Sequence, residues 1–343
     1  MRKPRGLGRV GALAVAVLCA GAAIGAAPAL ALEGSDWQHA LRVAQVLRET
    51  PPSQPVVLLL GGSSAREATV SDTSWAANIA HRGGPTVVAY NLGSRNQTFE
   101  QEAALVEALP SAPMLIFIGV NRGRFTAPPT TTTSTTPVAT KGTHTQHHYS
   151  SARIWTRTRK EREVQRWLRE RYPVFEERYK ANLERLDQLV ATCLSRGYRP
   201  VIVDLPRNME VIGDAFDDPL DQYQEGCRQL ASARGVPFLD FIDALSLRNA
   251  DFFDLDHLVD PGRPKFQDRL ADESARLLAG YGLGPADGAE SDVLSRLTGA
   301  RALWLVAVAA MLLGLALAVQ RRRVVLRRRR RVRDPRRTSR RRR

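Results

Sequence analysis

Four polar side chains follow apolar segments of the chain and together suit nucleophilic catalysis. Ser63 follows the run "VVLLLGG", Asn121 follows "PMLIFIGV", and Asp254 precedes His257 by three residues in "DLDH". A serine hydroxyl becomes a nucleophile when a neighbouring base takes its proton, and a carboxylate can orient that base. An amide N–H beside the reacting carbonyl stabilises the oxyanion. These residue types predict acyl-group chemistry, with Ser63 as nucleophile, His257 as base, Asp254 as its partner and Asn121 as an oxyanion donor.

The same residues also fit a structural interpretation. Ser63 suits a turn after a strand, Asn121 suits a strand-end cap, and the Asp254–His257 pair suits a local turn. The position of the nucleophile is open as well, because Ser64 directly follows Ser63 and carries the same hydroxyl. Catalysis is favoured by the fact that these groups follow different apolar segments.

Short apolar segments alternate with amphipathic ones along the chain. The apolar segments predict five strands, at 55–60, 85–92, 113–120, 199–205 and 236–241. The amphipathic segments predict helices, at 36–49, 65–82, 98–109, 160–197, 220–234 and 262–280. We expect Pro173 to kink or split the longest helix, and we read 204–223 as a long loop. Strands that alternate with helices form parallel sheets, so the predicted fold class is α/β: a three-layer α/β/α domain of flavodoxin-like type with a mostly parallel five-stranded sheet. Ligands bind at the carboxyl ends of such strands, where the polar groups should converge.

The polar segments resemble the four sequence blocks of the SGNH/GDSL hydrolases, named for Ser, Gly, Asn and His in this order. "LGGSSARE" looks like the first block, "NLGSRNQT" the second, "GVN" the third and "DLDH" the fourth, and the resemblance spans about 55 to 280. It implies the SGNH hydrolase fold. The oxyanion donors would be the Ser63 backbone N–H, the Asn121 amide and a backbone N–H of the 93–96 turn. Asn96 matches the second-block glycine, and asparagine tolerates a positive φ better than most residues.

Three departures from these blocks keep other interpretations open. Gly62 replaces the acidic residue usual before the nucleophile, which keeps Ser64 as an alternative. Arg122 follows Asn121 where the third block usually continues with Asp, and Asn96 replaces the second-block glycine. A catalytically inactive glycan-binding or assembly protein of the same fold is therefore the alternative to an enzyme.

Within this superfamily, "GGSSARE" and the pattern "NLG…QT.EQ" are similar to a membrane-tethered branch. That branch includes proteins of alginate O-acetylation and teichoic-acid D-alanylation, often found beside a membrane-bound O-acyltransferase. The resemblance implies a serine esterase or O-acyltransferase that acts, without a cofactor, on acyl esters of glycans or cell-envelope polymers. A membrane-bound O-acyltransferase is the implied partner.

The positive charge of the chain lies at its two ends. Residues 321–343 contain 15 Arg and one Asp, and the first nine residues add four positive charges, so the formal charge of +15 leaves residues 10–320 at −3. Nucleic-acid binding needs a folded basic face, which this distribution argues against.

Apolar runs accompany both charged ends. The run at 11–32 ends in "ALA" and predicts a signal peptide cleaved after Ala31, or an uncleaved anchor, within residues 1–32. A second run, without charge, predicts a transmembrane helix at 299–320. The positive-inside rule then places the Arg-rich tail 321–343 in the cytoplasm and the domain 33–298 outside the cytoplasmic membrane.

Two further features concern the exported domain. The Thr/Pro-rich segment 126–151 predicts a flexible solvated loop. Its His144, His147 and His148 lack nearby Asp, Glu or Cys, so we expect no metal there. Cys193 and Cys227 precede the fourth and fifth strands on helices that should share one face of the sheet, which predicts a disulfide. Two separately buried thiols are the alternative.

Overall fold

The computed structural model describes residues 36–130, 148–242 and 244–283. All of them belong to one compact unit. The predicted N-terminal segment, the transmembrane helix, the Arg-rich tail, and His144 and His147 lie outside the described residues. Within the described part of the chain, no helix has the length and apolarity needed to cross a membrane.

A parallel sheet of five strands forms the middle layer of the domain, as predicted. Its strands are β1 Val56–Leu60, β2 Val88–Asn91, β3 Met114–Val120, β4 Arg199–Asp204 and β5 Phe238–Asp240. The strand order is β2-β1-β3-β4-β5, which is the flavodoxin-like order. Leu60 pairs with Ile118, and Val120 pairs with Asp204. This register brings the carboxyl ends of β1, β3 and β4 to the same edge of the sheet.

Nine helices surround the sheet in the described residues. They are α1 (36–49), α2 Ser63–Arg66, α3 Asp72–His81, α4 Phe99–Glu107, α5 Arg157–Glu170, α6 Tyr172–Ser195, α7 Met209–Ile212, α8 Asp217–Arg234 and α9 Arg263–Gly280. Strands β1 and β3 are buried on both faces because their side chains alternate between two apolar cores, whereas β2 and β5 at the edges of the sheet are partly exposed. Val56, Leu58 and Leu60 of β1 face the core shared with α1, α4, α5, α6 and α8. Val57 and Leu59 face the core shared with α3 and α9, which completes three layers.

Some predicted element boundaries are wrong. The helix predicted at 65–82 is two helices, α2 and α3, because the Ser71 side chain accepts a hydrogen bond from the Ser74 N–H and starts a new helix. The segment 204–223, predicted as a loop, contains α7, a 3-10 helix at Gly213–Phe216 and the start of α8. The split of the long helix is confirmed: α5 ends at Glu170, and Pro173 lies in the first turn of α6.

The predicted disulfide is absent, although both cysteine-bearing helices do lie on the same face of the sheet. Cys193 and Cys227 are buried free thiols. The two side chains have different neighbours, since Glu102 of α4 acts on Cys193 and Asp204 of β4 acts on Cys227. Gly226 of α8 leaves room for the Tyr179 ring of α6, whose hydroxyl occupies the space that a Cβ would fill.

Candidate active site

The turn between β1 and α2 presents Ser63 at the carboxyl edge of the sheet. Gly61 has a φ of +153°, and a Cβ at this position would come within 2.5 Å of the Ala65 Cβ. A glycine is therefore required for the chain to leave β1 and enter α2 this tightly. Ser63 is the first residue of α2, so its backbone N–H has no acceptor within the helix and can donate to a bound group.

Ser63, His257 and Asp254 form one continuous chain of hydrogen bonds. The Nε2 atom of His257 lies 2.8 Å from the Ser63 Oγ. Its Nδ1 atom lies 2.8 Å from each carboxylate oxygen of Asp254. The His257 and Asp254 side chains are both 17% exposed, so the site is sheltered but reachable from solvent. The fold thus brings the predicted nucleophile, base and carboxylate together, although Ser63 and His257 are 194 positions apart in the chain.

The charge of Asp254 sets the protonation behaviour of His257. Burial by itself lowers the pKa of His257, but the charge and hydrogen bond of Asp254 outweigh burial and raise the pKa above its usual value, with smaller contributions from Asp256 and Glu67. Burial tends to raise the pKa of Asp254, yet His257 and the backbone N–H groups of Asp256 and His257 lower it. Asp254 therefore stays ionised and His257 is a stronger base than a free imidazole.

Asn121 contacts the second serine of the turn. Its Nδ2 donates to the Ser64 Oγ over 2.9 Å, while its Oδ1 accepts from the Arg124 backbone N–H over 3.1 Å. The second contact fixes which way the amide faces. A side-chain amide has two N–H groups, so one remains for a ligand beside Ser63. Ser64, the alternative nucleophile, is buried and bonded to Asn121, whereas His257 bonds to Ser63.

The turn after β2 packs directly against α2. A Cβ on Gly93 would lie 2.5 Å from the Arg66 backbone nitrogen, so only glycine allows this approach. The Ser94 N–H donates to the Gly61 carbonyl over 3.0 Å, which joins this turn to the nucleophile turn. Asn96 is exposed and has a φ of +58°, a left-handed conformation that asparagine tolerates better than most residues. Its role as an oxyanion donor stays a prediction.

Buried polar groups hold the loop that carries Asp254 and His257. Lys160 of α5 is fully buried, and its Nζ donates to the backbone carbonyls of Asn249 and Phe252 and to the Asn249 side chain. Asn208 donates to the Asp254 carbonyl over 3.3 Å and to the Asn249 side chain over 3.0 Å. Neither residue was predicted, because each acts on backbone atoms of a segment distant in sequence.

A charged cluster lies behind the nucleophile turn. Glu67 follows α2, is fully buried and accepts hydrogen bonds from Arg66 and Arg263. Burial tends to raise its pKa, but the hydrogen bond from His148, the charge of Arg66, the Tyr149 N–H and the charge of Arg263 lower the pKa to about 2. His148 is thus packed against Glu67, and its predicted place in a solvated loop is wrong.

An aromatic column borders the His257 loop. The Tyr149 ring stacks on Phe253 with centroids 4.4 Å apart and meets the His257 ring edge-on at 5.1 Å. The Trp155 ring also lies beside Phe253, with centroids 5.8 Å apart, and the Trp155 backbone N–H donates to the Phe253 carbonyl. The segment that returns from the Thr/Pro-rich stretch therefore forms one wall of the site. The sequence offered no signal for this contact beyond the aromatic residues themselves.

Among residues 36–130, 148–242 and 244–283, no group of His, Cys, Asp or Glu side chains is arranged to hold a metal ion. The arrangement instead provides a hydroxyl, a base hydrogen-bonded to it, a carboxylate behind the base, and N–H donors beside the hydroxyl. Such groups can activate the hydroxyl for attack on a carbonyl and stabilise the resulting oxyanion.

Comparison with known proteins gives matches in structure only. No protein-family model matches the chain, and no curated protein matches its sequence. A protein from Streptococcus pneumonia described as a platelet activating factor matches with a TM-score of 0.42 and 13% identity, covering 76% of this chain and 98% of its own. The acetyl xylan esterase AlAXEase matches with a TM-score of 0.40 and 13% identity, covering 65% and 99%.

A third solved structure, a catalytic mutant of the acetylxylan esterase Axe2 from Geobacillus stearothermophilus, matches with a TM-score of 0.40 and 12% identity, covering 63% of this chain and 93% of its own. Likenesses of this size do not assign a function. The side-chain geometry of the carboxyl edge carries the functional interpretation instead.

Proposed function

We propose that the protein is a serine esterase or O-acyltransferase that works through an acyl-enzyme at Ser63. One observation carries the proposal: the unbroken relay from the Asp254 carboxylate through His257 to the Ser63 Oγ, with distances of 2.8 Å at both steps. A structural turn does not need a histidine aligned between a hydroxyl and a carboxylate. Nucleophilic catalysis by serine does.

In the acylation step, the Ser63 oxygen attacks the carbonyl carbon of an ester while His257 Nε2 takes the hydroxyl proton. Asp254 stabilises the imidazolium through Nδ1. The negative charge that develops on the carbonyl oxygen is stabilised by the Ser63 backbone N–H, the free N–H of the Asn121 amide and a backbone N–H near Asn96. The carbon–oxygen bond to the alcohol then breaks, and His257 returns the proton to the leaving oxygen.

In the second step, an acceptor hydroxyl attacks the acyl-enzyme. His257 removes the acceptor's proton, the acyl group leaves Ser63, and the serine oxygen regains a proton from the imidazolium. Water as acceptor gives hydrolysis, and a sugar hydroxyl gives O-acyl transfer. The residues that act on the acyl group are the same in both cases.

The proposal extends to the cellular setting of the enzyme, on the basis of the sequence. We place the site in an exported domain, tethered by the apolar run at 299–320 and a cytoplasmic Arg-rich tail. Acylated glycans or cell-envelope polymers are then the substrates, and a membrane-bound O-acyltransferase is the partner. Support for this setting comes from the charge distribution and the resemblance of the sequence blocks.

The two adjacent serines allow a matched test. Hydrolysis of p-nitrophenyl acetate by the full-length chain should fall by about 10⁴-fold or more in Ser63→Ala, because no nucleophile then faces His257. Ser64→Ala should keep most of the activity, since the Ser64 hydroxyl is hydrogen-bonded to the Asn121 amide and His257 is hydrogen-bonded to Ser63. Circular dichroism serves to confirm that both variants fold. Full activity in Ser63→Ala would overturn the proposal, and so would the absence of turnover and of covalent labelling in the wild type.

A further inference from the structure

Arg122 links the two loops on which the proposed mechanism depends. It directly follows Asn121 at the end of β3, and its guanidinium is almost fully buried. The Nη1 and Nη2 atoms of Arg122 lie 2.6 and 2.9 Å from the two carboxylate oxygens of Asp256, which is a bidentate ion pair. Asp256 directly precedes His257. One side chain therefore joins the proposed oxyanion donor's strand to the loop of the proposed base.

Two aromatic rings also pack against the Arg122 guanidinium. Its guanidinium carbon lies 4.3 Å from the Phe216 ring centre and 5.3 Å from the Trp167 ring centre. A planar guanidinium can stack on rings and bind a carboxylate in plane at the same time, which lysine cannot do. The geometry is therefore specific to arginine. Its two parallel N–H donors fix the orientation of the Asp256 carboxylate as well as its distance.

Asp256 also belongs to the hydrogen-bond network of the relay. Its backbone N–H donates to Asp254 Oδ1 over 3.0 Å, beside the N–H of His257, which donates to the same atom over 3.1 Å. Three carboxylates raise the pKa of His257: Asp254 and Asp256 on its own loop, and Glu67 after α2. Each of them interacts with cations. Lys160 acts on Asp254, Arg122 binds Asp256, and Arg66 and Arg263 bind Glu67. The charge of Asp256 raises the pKa of His257, and Arg122 is the cation that pairs with this carboxylate.

We infer that Arg122 and Asp256 are a positioning pair that fixes the His257 loop against the end of β3 and balances the negative charge beside His257. Neither residue touches the reacting atoms. The inference rests on the proposed function for its consequence in turnover, but the charge balance itself can be measured without turnover. It also gives a role to Arg122, which stands where the third block of the resembling family has Asp.

Opposite substitutions should move the protonation of His257 in opposite directions. Asp256→Asn removes an anion beside the imidazole, so the pKa of His257 should fall by about half a unit. Arg122→Gln leaves Asp256 unbalanced, so the pKa of His257 should rise by about the same amount. The double variant should lie between the two single variants. Arg122→Lys keeps the charge and loses the two parallel N–H donors, so it should leave the pKa near the wild-type value while lowering kcat.

The experiment is a histidine-selective NMR titration of the full-length chain, with the His257 signal assigned by its loss in His257→Ala. The same variants are then compared in the pH profile of kcat/KM for p-nitrophenyl acetate, whose acidic limb should move with the titration. The matched control is Asp187→Asn, which removes an aspartate from another bidentate pair, with Arg234 at 2.6 and 2.5 Å. Arg234 ends α8 just before β5, toward the opposite edge of the sheet. This control should leave His257 unmoved.

Shifts of opposite sign in Asp256→Asn and Arg122→Gln support the positioning pair. Shifts of the same sign, or none beyond that of Asp187→Asn, overturn it. If Arg122→Gln does not fold, Asp256→Asn and Arg122→Lys decide by the same criterion: a lowered pKa in the first and an unchanged pKa in the second. A chain that shows these shifts but turns over no ester would contradict the proposed function and leave the charge balance intact.

Discussion

Two polar clusters lie at the same edge of the sheet and differ in their exposure to solvent. At the end of β4, the fully buried carboxylate of Asp204 accepts hydrogen bonds from Arg207, Tyr223 and Gln224. At the ends of β1 and β3, Ser63, His257 and Asn121 remain partly exposed. Both clusters contain an acid and its hydrogen-bond partner, but Asp204 is fully buried whereas the Asp254 side chain is 17% exposed. Only the second leaves donors and a hydroxyl for an incoming molecule.

The difference also appears in the protonation of the two aspartates. Burial raises the pKa of Asp204 despite the opposing charge of Arg207 and the hydrogen bonds that it accepts. The pKa of Asp254 is lowered, because its histidine and two backbone N–H groups outweigh burial. A polar cluster that is hydrogen-bonded internally and closed to solvent suits a structural role. One that is charged, ordered and open suits chemistry.

The strongest contrast should come from the same substitution at the two aspartates. Asp254→Asn should lower kcat for p-nitrophenyl acetate by about 10⁴-fold, because an amide can neither hold the right imidazole tautomer nor stabilise the imidazolium. Steady-state kinetics of the full-length chain measure this loss. A reduction of less than tenfold would remove Asp254 from the mechanism.

A smaller loss is expected at the oxyanion site. Asn121→Ala should lower kcat by about 10²–10³-fold with little change in KM, because the amide acts mainly on the charge of the transition state. The control is Ser64→Ala, which removes the amide's partner but keeps the amide. Equal losses in both variants would mean that Asn121 acts by holding the turn, not by donating to substrate.

At the closed cluster, the effect should be on stability and not on rate. Asp204→Asn leaves the buried Arg207 without its counter-charge and should lower the free energy of unfolding by about 3 kcal/mol. Urea denaturation followed by circular dichroism measures this. The kcat of the folded variant should stay within about twofold of wild type, since β4 supplies no group to the relay. A large drop in kcat with unchanged stability would reverse the roles of the two clusters.

The smallest expected effect is a shift in the pH dependence of kcat/KM. His257 must be neutral to act as base, and its pKa is raised above the usual value. The rate kcat/KM should therefore rise with pH through an acidic limb whose midpoint lies above about 6.5, the ordinary histidine value. A midpoint well below 6.5 would mean that Asp254 does not raise the pKa of the catalytic base.

The sheet could be predicted from the sequence because its strands lie in short apolar runs, and the central strands β1 and β3 are buried on both faces. The order of the polar groups along the chain also predicted that Ser63, Asn121, Asp254 and His257 would meet, since parallel strands end at one edge. The α7 region was missed because its Asp and Pro residues resemble a loop. The break at Ser71 was missed although its capping signal is local.

Contacts between segments that are distant in the chain could not be predicted from the sequence. The ion pair of Arg122 with Asp256 joins residues 134 positions apart, and no periodicity marks such a pair. His148 and Tyr149 follow a Thr/Pro-rich stretch, whose composition says nothing of where the chain returns to the fold. In each case, the tertiary arrangement of the loops decides the contact.

The most direct test of the central claim is covalent labelling with a fluorophosphonate, which reacts with serine hydroxyls activated by a neighbouring base. Mass spectrometry of the labelled full-length chain should find the adduct on Ser63. The label should disappear in Ser63→Ala and in His257→Ala and persist in Ser64→Ala. An adduct on Ser64, or an unlabelled Ser63 in a chain that hydrolyses p-nitrophenyl acetate, would contradict the assignment of Ser63 as the nucleophile.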